Sequence, residues 1–150
     1  MTLLRTVARP LLASMFVYGG YQAAKSPGPR AAKAQPVADA IKRVAPELPV
    51  TGSNLVRLNG AVQAVAGVAL ATGRVPRLAA LTLAATLPPV TVVGHPYWDE
   101  TDPAARANQR IHFLKNLSLT GGLLMATLDP EPHKKSVGHR AKDRLAALRG

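Results

Sequence analysis

Residues 110–124 read RIHFLKNLSLTGGLL. Without its polar members the stretch is an apolar, membrane-type helix. With them, His112, Lys115 and Asn116 all fall in its first half. Ionisable groups in hydrocarbon are costly; where they occur they face a bundle interior or mark a function. The fold therefore turns on whether other segments bring polar groups to the same end of this helix.

Three further apolar blocks precede it. The spans are expected at about 6–24, 55–72, 75–94 and 111–128, each close to the ~17–25 residues a bilayer-crossing helix needs. No period-two alternation runs through them, so strands are not expected. Pro88-Pro89 is expected to kink the third span. The first block, with Arg5 and Arg9 before an apolar core, has some features of a cleaved leader. Three more apolar blocks follow it, which favours a first spanning helix. Residues 26–53 form a long loop that starts with SPGPR. Within it, Val37, Ile41 and Val44 share one helical face, as in a short amphipathic helix on a membrane or a solvated loop helix. The expected organisation is an all-α four-helix membrane domain over 1–129 and a basic cytoplasmic tail over 130–150.

The chain has 19 Lys+Arg against 8 Asp+Glu, a formal net charge of +11. In a soluble domain that balance suggests a nucleic-acid binder. Here the cations gather at block ends and in loops instead of along one face, so membrane lipid is the expected partner and nucleic acid is not. In a four-span topology, ten cations fall on the side of the termini, seven on the other, and Arg57 and Lys115 lie within helices. The bias places both termini in the cytoplasm. The mean hydropathy of +0.07 is low for a polytopic chain, so the distribution carries the membrane reading. With no cysteine, disulfides, thiol redox chemistry and thiolate metal sites are excluded. No phosphate-cradling glycine loop, HExxH or nucleophile elbow is present.

Up-and-down connectivity puts the end of span one, the start of span two, the end of span three and the start of span four at one end of the bundle. The polar residues of these half-helices include Arg57, Asn59 and Gln63; His95, Trp98, Asp99 and Glu100; and His112, Lys115 and Asn116. Tyr18, Gln22 and Lys25 join them from span one. Two readings fit. In one, Arg57 or Lys115 holds an anionic or quinone-like head group and His95 or His112 exchanges protons. In the other, the amides bond between helices while the cations snorkel or pair with Asp99 or Glu100. A haem or metal at His95 and His112 is the weakest option, because no spaced carboxylate accompanies them. Gly60, Ala64, Gly67 and Ala71 form a small-residue stripe, with Gly121 and Gly122 as a local counterpart. Such stripes serve close helix packing within the bundle or in a homo-oligomer.

Several segments resemble the DoxX family of small bacterial membrane proteins. They are Arg9, Leu12 and Phe16 in the first block, Arg57-Leu58-Asn59-Gly60, Gly94-His95-Pro96-Tyr97-Trp98, Phe113-Leu114-Lys115-Asn116-Leu117 and Gly121-Gly122. The resemblance runs from the first helix to Asp129. It implies a four-helix, multi-pass protein of the bacterial cytoplasmic membrane. The family is named for a terminal quinol oxidase subunit, and relatives are similar to thiosulfate:quinone oxidoreductase subunits. Another relative anchors a complex with a superoxide dismutase and a thiosulfate sulfurtransferase in oxidative-stress defence. The resemblance thus implies a non-catalytic anchor or scaffold of a redox complex first, a quinone-linked oxidoreductase subunit second and a small-molecule transporter third. Many relatives carry an acidic residue where this chain has Gln63, which speaks against a carboxylate proton relay here.

Overall fold

The structure is a computed structural model that describes residues 3–128. The basic tail expected over 130–150 lies outside the described residues. Five helices and no strand make up the rest: α1 (Leu3–Lys25), α2 (Pro29–Val44), α3 (Gly52–Thr72), α4 (Pro76–Gly94) and α5 (Pro103–Thr127).

Local chemistry sets the helix ends. Gly28, at φ 52°, turns the chain ahead of α2, and Pro29 occupies the first helical position. Thr51 caps α3 by accepting a hydrogen bond from the Asn54 N–H at 3.1 Å. Gly73 closes α3 in the left-handed conformation at φ 65°, and its N–H and that of Arg74 return to the carbonyls of Leu70 and Ala69. Asp102 caps α5, accepting from the Ala105 N–H at 2.7 Å, with Pro103 next. α5 therefore begins eight residues before the apolar block expected at 111. Hydropathy marks where a helix enters an apolar medium; the Asp-Pro cap marks where the helix starts. Pro88 and Pro89 lie inside α4, which stays helical through them.

α1 lies along α3, α3 packs on α4 and α4 on α5, while α2 crosses α3 and the end of α4. Gly20 of α1 faces Gly60 of α3, and Val17 faces Gly67, so α1 and α3 are antiparallel. The apolar core is shared by Ala13 and Phe16 of α1, Ala66 and Leu70 of α3, Ala79, Ala80, Leu83, Ala84 and Leu87 of α4, and Leu123 of α5. It lies toward the α3–α4 turn, leaving the polar residues at the other end.

Two of the described helices, α3 and α4, are long and apolar enough to cross a membrane, with mean hydropathies of 1.3 and 1.4. Arg, Lys, Gln, Asn and Gly dilute the apolar residues of α1 and α5. Many large apolar side chains point outward, among them Leu11, Leu58, Val65, Leu78 and Leu117. A surface this apolar suits a lipid or protein neighbour.

Candidate functional site

The α2 helix closes the polar end. Lys33 Nζ donates to the Gly94 carbonyl at the end of α4 over 2.8 Å. Gln35 Oε1 accepts from the Gly52 N–H at the start of α3 over 2.9 Å. These bonds satisfy a terminal carbonyl and a terminal N–H that the helices cannot satisfy themselves. Close approach makes this possible: a Cβ on Gly52 would run into the Ala31 carbonyl and lie 2.8 Å from the Gln35 nitrogen. Ala38 is fully buried against this neighbourhood, whereas Val44 stays outside. Lys33 and Gln35 are absent from a sequence-based site list because nothing local shows that α2 folds back over α3 and α4.

The polar residues form three separate groups. The largest joins the end of α4 to the start of α5. The rings of His95 and His112 stack at 5.1 Å with 18° between planes. His95 Nδ1 lies 2.7 Å from Gln109 Oε1, an acceptor that pairs with the Nδ1–H tautomer. His112 Nδ1 lies 3.3 Å from Lys115 Nζ and accepts from it, which places the other proton on Nε2. As placed, the two contacts select opposite tautomers. Beside them, Tyr97, Trp98 and Phe113 meet edge to face at 5.2, 5.4 and 5.9 Å. Such aromatic groupings are stable in themselves and suit the boundary between an apolar medium and water. Gln109 and Phe113 complete this cluster: Gln109 lies one helical turn before His112 and Phe113 directly follows it. Starting α5 at its Asp-Pro cap would have put Gln109 on the same face.

The second group ties α1 to α3. Arg57 Nη1 donates to the Ala24 carbonyl at the end of α1 over 3.2 Å. Gln22 donates to the Tyr18 hydroxyl at 3.3 Å, and the Lys25 ammonium sits 5.8 Å from the Tyr21 ring centre. The third is a single bridge inside the helix layer: half-buried Gln63 reaches Thr86 of α4 over a long 3.5 Å bond. Asn59 is half-buried on α3, and Asn116 is buried on α5. Asp99 and Glu100 sit in the α4–α5 connection. Among the described residues, neither forms an ion pair with Arg57 or Lys115, which turn to a carbonyl and an imidazole instead.

The small residues divide in the same way. Gly60 and Gly67 are buried against α1, Ala64 and Ala71 are half-buried, and Gly121 and Gly122 are exposed on α5. A Cβ on Gly121 would meet nothing within 4 Å. Among the described residues no group of three or more His, Cys, Asp or Glu is placed to hold a metal ion.

Chemically, the cluster offers stacked imidazoles, one ammonium and an aromatic wall, all on the α4–α5 hairpin. Arg57 and Gln63 belong to other contacts. No curated protein and no solved structure matches the chain. The DoxX family profile matches residues 4–96, from the first turn of α1 through the Gly94-His95-Pro96 end of α4. The segments of α5 that carry the resemblance, Phe113 to Leu117 and Gly121-Gly122, lie beyond that match. With well over half of its length matched, the chain belongs to the DoxX family of membrane proteins.

Proposed function

We propose that the protein is a four-span subunit of the bacterial cytoplasmic membrane, and that it anchors or organises a redox or oxidative-stress complex without performing chemistry itself. α1, α3, α4 and α5 would cross the bilayer with both termini on the cytoplasmic side, and α2 would lie over the outer end. Partners of the class of a superoxide dismutase or a sulfurtransferase would dock on its loops. One observation carries the reading: four polar side chains near the bundle end are engaged within the chain itself. Arg57 caps α1, Gln63 bridges to Thr86, His95 engages Gln109 and Lys115 engages His112. The first three link one helix to another, and such bonds support helix association in a membrane by about 0.6–2 kcal/mol each; the Lys115–His112 contact lies within α5.

A quinone-binding role is the second reading. The stacked His95–His112 pair favours it, with Lys115 alongside and Tyr97, Trp98 and Phe113 as an apolar wall for a ring. The two readings separate on purification from native membranes in mild detergent. The anchor reading expects stoichiometric redox proteins and no extractable quinone. Stoichiometric quinone that disappears in Lys115→Met, while the variant keeps its fold, would overturn it in favour of the second.

A further inference from the structure

Outside the polar cluster, the first turns of α5 hold an unassigned concavity. Tyr97, Pro103, Arg106, Ala107 and Arg110 line a depression of about 340 Å³. Arg106 and Arg110 are four residues apart, so they project from one helix face. Both are exposed, and among the described residues neither side chain has a hydrogen-bond or ion-pair partner. Asp102, one turn before Arg106, gives its carboxylate to the Ala105 N–H. Two adjacent guanidiniums with no carboxylate in ion-pair contact among the described residues suit a phosphate, which arginine binds with paired N–H donors.

The same helix face continues past Arg110 as apolar surface. Leu114 and Leu117 follow at helical spacing and are 52% and 58% exposed. Gly121 comes next, with open space where a side chain would be. The face therefore reads cation, cation, leucine, leucine, notch. A soluble phosphate ion uses only the first two of these features, whereas a diacyl phospholipid uses all of them.

We propose that this face of α5 is a specific phospholipid site, with the phosphodiester held by Arg106 and Arg110 beside Tyr97 and an acyl chain lying over Leu114, Leu117 and Gly121. The proposal rests on the reading that α5 crosses the bilayer. The full chain in non-ionic detergent, titrated with dioleoyl phosphatidylglycerol and observed by native mass spectrometry, tests it. One retained phospholipid per chain is expected. Occupancy should fall at least tenfold in Arg106→Gln/Arg110→Gln and to an intermediate level in Arg106→Lys/Arg110→Lys, which keeps charge but loses the paired donors. Dioleoylglycerol, lacking the phosphate, should not be retained. Equal occupancy in wild type and the glutamine variant would mean bulk annular lipid and overturn the site. Complete displacement by inorganic phosphate, or a chain dimer in place of lipid, would overturn it too. A Leu117→Cys variant separates the premise. If membrane-embedded Leu117→Cys reacts with a water-soluble maleimide, α5 does not cross and both readings fall. If it stays protected and no phospholipid is retained, the lipid site alone fails.

Discussion

Gly20 and Gly60 meet backbone to backbone. A Cβ built on either would lie 2.6 Å from the other's carbonyl oxygen. Separations under about 3 Å cannot be absorbed by rotating a side chain, because both partners are main chain. The α1–α3 pair is therefore held at its observed distance by two missing methyl groups. Neighbouring Gly19 has nothing within 4 Å of its Cβ position. Gly20→Leu or Gly60→Leu should pry α1 from α3 and destabilise the fold by about 1–3 kcal/mol or more, as expected of overpacking. Gly19→Ala should be neutral or slightly stabilising, since alanine favours helix by ~1 kcal/mol over glycine. Thermal unfolding in detergent, followed by circular dichroism, compares the three directly.

Arg57→Gln should lose the link to the Ala24 carbonyl and little else. Because Arg57 is exposed, a loss of about 0.5–1.5 kcal/mol is expected, typical of one net hydrogen bond. Hydrogen exchange should show faster opening confined to the last turn of α1. A collapse of the whole bundle would mean that Arg57 does more than cap that helix.

The α2 helix should be releasable without unfolding its neighbours. Gln35→Leu removes the acceptor for the Gly52 N–H, and Gly52→Val drives a side chain into the Ala31 carbonyl. Both should raise protease cleavage within 26–50, the valine variant more. Unchanged cleavage would show that Lys33 and the Ala38 packing suffice to hold α2.

The imidazole stack has a spectroscopic signature. ¹⁵N spectra of histidine-labelled protein should show His95 protonated on Nδ1 and His112 on Nε2. Gln109→Leu deletes the acceptor on His95 and should erase the first tautomer's preference. A His95 protonated on Nε2 in the wild type would mean that Gln109 turns its amide N–H toward His95.

Topology can be read chemically because the chain has no cysteine of its own. Single cysteines at Ser26 and Thr101 should react with impermeant maleimide from outside intact cells. One at Arg74 should react only after permeabilisation. Labelling of Arg74→Cys from outside would reverse the charge-based orientation.

By itself the sequence determined that the chain is helical and belongs to the DoxX family. Long apolar blocks without alternation leave little choice but helix, and the family motifs are legible as strings. The helix ends came from the structure: Thr51, Gly73 and Asp102-Pro103 act through neighbours one to four residues away, where hydropathy carries no signal. Only the tertiary structure decided how the polar residues divide. Shared depth in a bundle places Arg57, His95 and Lys115 at one end, but depth does not specify which residues touch. Contact depends on helix rotation and on which pairs approach most closely. The glycine pair that draws α1 onto α3 commits Arg57 to Ala24, and the α4–α5 hairpin commits His95 to Gln109 and His112. The place of α2 was equally hidden. Lys33 and Gln35 find partners 61 and 17 residues away, a distance that local periodicity does not reach.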